Sequence, residues 1–399
     1  MAGPPPAGPQ MAPIPHFVVD LDQPAEKRWA PVCAAFKATF AEVVERNRAT
    51  FDAFDAMPAF ACALALRTLP RAQREDARAL AAGLGAPRGV VALLQLVYEA
   101  FSLTDALHGE HAGGPLGDAG APRGGGALGC TSLVRACADG AVVHARTLDW
   151  GWLEGLDALL VDLAFTRGGR PLYRSTTFVG FVGVLTALRC DGATAAGRGA
   201  YSVSLNYRRP FAGRWDAAGR PSLAVPPLWR NGPAWRALAL ALFRGAWPVA
   251  AWLRDVTETC ATFEQARARL AEAEAGAASA DAQPEGARAA ARGGDLILAP
   301  CFVTLAGRGR ADGVVLACDA GGARRAQALS GRAGDALCVA NIDPLGDDVP
   351  REDAVAAPYV SFADALGAKD LAQGESLLRR DVGLRLLSLI HISEPTRPY

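Results

Sequence analysis

The chain has 399 residues, 51% of them hydrophobic, with 41 acidic side chains against 41 basic. That is ample for a sizeable core, and the balanced charge gives no electrostatic case for nucleic acid or an anionic membrane. No stretch reaches the roughly 18 to 20 apolar residues of a spanning helix; the best run, FVGFVGVLTAL from Phe178, is short and β-branched and reads as one buried strand.

Residues 1–13 are Pro/Gly-rich and read as disordered, without the basic and apolar regions of a secretory signal. HFVVDLD alternates like a strand. From Val32 the apolar positions Phe36, Phe40, Val43, Phe51 and Phe54 follow at helical spacing and predict one long amphipathic helix. Helices are also predicted over AQREDARALAAGL and GVVALLQLVYEAF, the latter closing near Phe101. A Gly-rich loop then spans 108–129.

Strands are predicted next in CTSLVRAC, AVVHARTLDW, LLVDLAFTRGGRPLYRS and YSVSLNYRR, joined by Asp-Gly and Gly-Gly hairpin turns. Helices return in AWRALALALFRG, PVAAWLRDVTE and TFEQARARLAEAEA. A low-complexity insertion covers about 276–294, and strands resume in DLILAPCFVTLAG, DGVVLACD and ALCVANID. This grouping predicts two sheets between helical layers rather than alternating βαβ units. The closing SLIHISEPTRPY lacks the periodicity of what precedes it. Residues 388–399 therefore read as a non-native tail, expected to pack against nothing.

Nine cysteines show no C-x-x-C rhythm, and five histidines form no metal signature. His108 and His111, three apart in a Gly-rich loop, are too weak a pattern for a metal site, and no cofactor is expected. Trp229, Trp235, Trp247 and Trp252 read first as core packing, and second as a transient membrane-surface contact. Cys130 stands out because the Gly-rich run stops at it. Alone, a cysteine opening a strand is core filler more often than a nucleophile. As a nucleophile it needs a base, and no histidine has an obvious sequence relation to it. Its own α-amino group, titrating near 8 once the Gly129–Cys130 bond is cut, would serve. Arg146 and Asp149 lie on the paired strand downstream.

CTSLV followed by VVHARTLDW resembles the motif of the acid ceramidase and N-acylethanolamine-hydrolysing acid amidase family, within the N-terminal-nucleophile hydrolases. VDLDQPAEKRW, VYEAF, TTFVGFVGVLTAL, YSVSLNYR and ILAPCFVTLAG agree in order, so the resemblance runs from about Ile14 to Asp343 outside the two loops. It implies an αββα sandwich made as an inactive proenzyme, with a helical small subunit over 14–129 and a catalytic region over 130–387. It further implies that Cys130 is the nucleophile of a lipid-amide hydrolase, that the cleaved subunits 1–129 and 130–399 stay associated, and that the protein is lysosomal. By the same resemblance Arg146 and Asp149 orient the nucleophile and Asn206 is a candidate donor to the substrate carbonyl. Arg308 stands where the family has the asparagine of its oxyanion hole. His144 is expected in the core or behind the site, and Tyr98 and Glu99 match the family but read as structural. Two alternatives stay open: a homologue that binds lipid amides without turnover, suggested by Arg308 and the inserted loop, and a bile-salt or penicillin-type acylase.

Overall fold

The structure is a computed structural model, and it describes residues 14–55, 59–105, 129–149, 153–190, 199–208, 214–215, 221–222, 246–271, 297–318, 324–339 and 387–391. The N-terminal segment, both low-complexity loops, Trp229 and Trp235 lie outside them.

Strand β1 (His16–Asp20) leads into helix α1 (Ala25–Arg46), α2 (Arg48–Asp55), α3 (Ala59–Arg67), α4 (Arg71–Leu84) and α5 (Arg88–Asp105). The single helix predicted from Val32 to Phe54 is thus two. Asn47 interrupts it, where the side-chain amide donates to Val43 O and to Glu154 O across the fold; a short amide that bonds backbone favours a helix end over its interior. The predicted apolar stripe is nonetheless the buried one: Val32, Phe36, Phe40 and Val43 are all core. Helix α3 carries no amphipathic period and was not anticipated.

The strands follow: β2 (Gly129–Ala136), β3 (Val142–Asp149), β4 (Leu160–Arg167), β5 (Arg170–Phe178), β6 (Thr186–Cys190), β7 (Gly199–Tyr207), and the short ribbon β8 (Arg214–Trp215) and β9 (Pro221–Ser222). Helices α6 (Val249–Thr259) and α7 (Phe263–Ala271) precede β10 (Cys301–Ala306), β11 (Gly313–Cys318), β12 (Arg324–Ala328), β13 (Ala336–Val339) and β14 (Leu387–His391). Both predicted hairpin turns are present. Gly168 and Gly169 take φ of 59° and 70°, the paired positive values a tight two-residue turn between β4 and β5 requires.

An eight-stranded sheet runs β1-β4-β5-β6-β7-β10-β11-β12, antiparallel except where β1 joins β4. A four-stranded sheet runs β13-β2-β3-β14. Helices α1, α4, α5, α6 and α7 bury their apolar faces on the outer side of the larger sheet, in one core with Tyr201, Val203 and Leu205 of β7. Between the sheets lies a second core, in which Val134, Ala136 and Val142 meet Phe302, Ala306 and Val315. Two stacked sheets with helices make the chain an α+β sandwich, as anticipated. Among the described residues the helices pack on the larger sheet, and the expected helical layer beyond the smaller one lies outside them.

Two expectations are corrected. FVGFVGVLTAL is not one strand: β5 ends at Phe178, β6 begins at Thr186, and a fully buried irregular segment joins them. Gly180 there has φ of 98°, and a Cβ on it would stand 2.9 Å from Phe40 and Leu94. The segment's backbone groups bond side chains as well as backbone: Val184 N–H donates to Ala250 O at 3.0 Å and Leu185 O accepts from Leu205 N–H at 2.9 Å. Gln95 of α5 takes Val182 N–H at 3.0 Å and gives to Gly180 O at 2.6 Å, and Arg254 donates to Val182 O at 2.9 Å. Buried backbone satisfied this way needs no ladder. The second correction concerns the tail. Leu387–His391 forms β14, antiparallel to β3 with Ile390 opposite His144. The open edge of β3 leaves backbone groups that LSLIH pairs with, so 388–391 do not stand apart; 392–399 lie outside the described residues.

Candidate active site

The Gly129–Cys130 peptide singled out in the sequence is the first of strand β2, and the Gly-rich loop before it lies outside the described residues. Gly129 and Cys130 are the first residues of β2, opposite Asp149 and Leu148 of β3. Strand alternation turns Cys130, Ser132 and Val134 toward the larger sheet, and Cys130 is 2% exposed.

Arg146 reaches Cys130 from the neighbouring strand. Its Nη2 lies 3.6 Å from Cys130 Sγ and donates to Leu205 O at 2.6 Å, while Nη1 donates to Thr186 Oγ1 at 2.8 Å. The guanidinium is buried and therefore fixed by its hydrogen bonds. A buried cation against a thiol favours the thiolate. Asp149 ends β3 opposite Gly129, beside the Gly129–Cys130 peptide.

Behind the cysteine a line of polar side chains crosses from one sheet to the other. His144 Nδ1 meets Ser202 Oγ at 2.7 Å and its Nε2 meets Ser204 Oγ at 2.9 Å. Ser204 Oγ bonds Ser132 Oγ at 2.8 Å, Ser132 donates to Asn206 Oδ1 at 2.5 Å, and Asn206 Nδ2 donates to Val339 O at 3.0 Å. Each hydroxyl has one hydrogen. Because Ser132 spends its own on Asn206, Ser204 must donate to Ser132, and His144 must donate to Ser204 from Nε2. The imidazole is thus neutral with its proton on Nε2. Burial, helped by the Arg146 charge, pulls its pKa from 6.5 down to about 3, so His144 is no base for Cys130.

Tyr98 closes the site from the helical side. Its hydroxyl donates to Asn206 O at 2.6 Å and its ring packs edge-on against Tyr207, 5.9 Å between centroids. Burial foremost, and then the neighbouring Cys301 and Cys130 thiols, push its pKa well up. It is a permanent donor, and it ties α5 to the strand that carries Asn206.

The structure thus brings Cys130, Arg146 and Asn206 together, with Asp149 in register at the strand end, but not Arg308. Cys301 and Phe302 of β10 pair with Tyr207 and Asn206, at the end near Cys130. The strand runs on to Ala306, about 16 Å away at 3.3 Å per residue. Arg308 is exposed in the turn beyond, and its neighbour Arg310 donates to Ala138 O in the β2–β3 turn, the far end of the smaller sheet. Alignment by motif placed Arg308 in the site; the hairpin geometry carries it to the opposite end. Arg308→Ala is expected to leave whatever reaction the Cys130 site performs within about twofold of wild type, as surface changes do. A tenfold loss in a steady-state assay would return it to the site.

Among the described residues no cluster of His, Cys, Asp and Glu could hold a metal ion, and no helix is long and apolar enough to cross a membrane. Trp252 is buried in the core of α6, as the packing reading expected. The sequence reading missed Thr186, Ser132, Ser202 and Ser204 as supports of the site. The signal for Ser202 and Ser204 was present in YSVSLNY, where polar residues occupy every second position of a strand otherwise apolar.

Two stacked sheets, with a buried cysteine opening an inner strand against an arginine, define the candidate site. Residues 12–59 match the family model for the beta subunit of N-acylethanolamine-hydrolyzing acid amidase. The chain is 26% identical to acid ceramidase of Bos taurus over 229 residues, covering 51% of this chain and 48% of that protein. It is 27% identical to the N-acylethanolamine-hydrolyzing acid amidase of Caenorhabditis elegans over 194 residues, 48% of each. The solved structure of the Caenorhabditis elegans ortholog of that amidase superposes with a TM-score of 0.46 at 22% identity, covering 67% of this chain and 94% of that one. The resemblance to the acid ceramidase and N-acylethanolamine-hydrolysing acid amidase family is thereby shown; the matches span about half the length of these curated relatives.

Proposed function

We propose that this chain is the precursor of a cysteine amidohydrolase that cuts itself between Gly129 and Cys130 and then hydrolyses the amide bond of N-acylated lipids, N-acylethanolamines or ceramide. The observation that carries the reading is the Cys130–Arg146 pair: a buried thiol 3.6 Å from a guanidinium held by Leu205 O and Thr186. In the precursor the thiol attacks the Gly129 carbonyl, the peptide shifts to a thioester as the C–N bond breaks and frees the α-amine of Cys130, and water then cleaves the thioester to the Gly129 carboxylate and the free thiol. In the mature enzyme that amine takes the thiol proton as sulfur attacks the acyl carbonyl, and returns it to the departing amine. Water then cleaves the acyl thioester, giving a fatty acid and the free thiol. Arg146 stabilises the thiolate, and Asp149, at the cut end of β3, would hold the ammonium. Asn206 has one amide N–H on Val339 O; its second is the donor proposed for the substrate carbonyl. The relatives' names, acid ceramidase and acid amidase, support work at low pH, and the matched beta-subunit model supports a chain of two fragments; that the fragments stay associated and work in a lysosome is part of the same proposal.

Intact mass of the purified protein after incubation at acid and at neutral pH, beside Cys130→Ala, tests this. Two fragments meeting at Gly129/Cys130 in the wild type alone are expected, followed by fatty-acid release from an N-acylethanolamine. A chain that stays whole under every condition would falsify the self-cleaving reading.

Glu99 bears on the acidic setting. It is buried, its Oε1 accepts from Val249 N–H at 2.7 Å at the start of α6, and burial lifts its pKa from 4.5 to about 7. A carboxyl raised on folding contributes stability that is complete below about pH 4.5 and lost as pH rises through 7. His144 has the opposite sign: lowered from 6.5 to about 3, it costs stability as pH falls between those values. Glu99→Gln keeps the acceptor without the charge. The expected result is a higher melting temperature than wild type at pH 8 and an equal one at about pH 4, below the free carboxyl value; a uniform change at both would remove Glu99 titration from the account.

A further inference from the structure

Helix α5 carries three buried polar side chains on one face, Gln95, Tyr98 and Glu99, at the spacing that lines residues up along a helix. Each bonds the backbone of a different segment beyond Cys130. Gln95 holds Gly180 and Val182, Tyr98 donates to Asn206 O, and Glu99 Oε1 accepts from Val249 N–H at the start of α6. Glu99 is the member of this row that can change charge near neutral pH. Its Oε2 is buried without a hydrogen-bond partner, so ionisation would leave a carboxylate out of water on a single donor, a costly state. Tyr98 neighbours it on its own helix; Cys130 of β2, Tyr207 of β7 and Cys301 of β10 face that tyrosine. The first turn of α6 offers Val249 N–H and no charged side chain. No cation among these groups steadies a Glu99 carboxylate.

We propose that this face of α5 positions the Cys130 site and that Glu99 makes the positioning acid-dependent: neutral Glu99 keeps Tyr98 on Asn206 O, and ionised Glu99 draws its helix turn away and releases that bond. Glu99 is thus a positioning residue that acts through Tyr98 without touching substrate. The inference rests on the amidase reading, in which Asn206 donates to the substrate carbonyl. Burial lifts the Glu99 carboxyl to about 7, so the site is held together at acid pH and loosens as pH rises through that value.

The first arm of the test needs neither self-cleavage nor turnover. The full Cys130→Ala chain is labelled with fluorotyrosine, and the Tyr98 fluorine resonance, assigned by its loss in Tyr98→Phe, is followed from pH 5 to pH 8. It is expected to shift with a midpoint at about pH 7 and to stay still when Glu99→Gln is added. The second arm compares hydrolysis of an N-acylethanolamine at pH 5 and pH 8. The ratio of the two rates should be about tenfold larger in wild type than in Glu99→Gln, because a group with a pKa of about 7 keeps only about a tenth of its protons at pH 8. Tyr98→Phe, which keeps Glu99 but cuts the link, should also lose the wild-type ratio. A Tyr98 resonance without a transition, a transition that survives Glu99→Gln, or a wild-type ratio in either variant overturns the proposal. Wild type that hydrolyses no amide at either pH would sink the amidase reading instead, and the fluorine titration alone would then decide whether Glu99 governs Tyr98.

Discussion

Arg146→Lys is expected to lower amide hydrolysis by about 100- to 1,000-fold, the scale of losing one preorganised group that stabilises developing charge. The guanidinium makes three contacts at once, to Cys130 Sγ, Leu205 O and Thr186 Oγ1. A lysine ammonium keeps the charge but cannot span all three, because its donors radiate from one atom rather than a planar fork. The loss should fall on kcat, since the contact to sulfur matters most when the thiolate attacks, and self-cleavage should slow in parallel. Steady-state kinetics together with the fraction cut over time would check it. A lysine variant with wild-type turnover would mean that the short Arg146–Cys130 distance is packing and nothing more.

The largest stability effect is expected at Asp76. This carboxylate is completely buried on α4. Its Oδ1 accepts from Arg28 Nε at 2.7 Å and Trp29 Nε1 at 2.6 Å, and its Oδ2 lies 2.8 Å from Arg254 Nη2. Arg254, itself 1% exposed, bonds Glu258 at 2.8 Å and lies over the Phe165 ring, and Glu258 takes Arg167 at 2.9 Å. Removing one partner of such a pair leaves the others charged in a poor solvent for charge, which costs about 3–5 kcal/mol. Against a typical stability of about 5–15 kcal/mol, Asp76→Ala should shift denaturant unfolding sharply. The same residues join α1 and α4, before the proposed cut, to α6 after it. A cleaved Asp76→Ala protein should therefore separate into its fragments on gel filtration at denaturant concentrations the wild type survives. The double variant Asp76→Leu with Arg254→Met, which removes charge from both sides, should recover part of the loss. Equal unfolding midpoints for Asp76→Ala and wild type would show the network to be dispensable.

Much of this was legible in the residues themselves. The stripe Val32, Phe36, Phe40, Val43 named the buried face of α1, because a helix meets its core once every 3.6 residues whatever it packs on. Strand alternation and the two-glycine turn named β4 and β5 for the same local reason. Cys130, Arg146 and Asn206 were singled out before any fold was known, through motif and order along the chain. Local rules failed where distant groups supplied the backbone bonds. Gln95 and Arg254 hold the segment after Phe178 out of a ladder, an Asn47 amide ends a helix that periodicity would continue, and the free edge of β3 recruits LSLIH into the smaller sheet.

The sequence by itself determined which residues are candidates for chemistry and which faces are apolar, because both are written in side-chain type and spacing. Only the tertiary structure decided which of those residues meet. It set Arg146 on Cys130, ran a line of serines from His144 to Asn206, and sent Arg308 to the far end of a hairpin. Those outcomes depend on how two sheets register across about 10 Å, and no period within one strand contains that information.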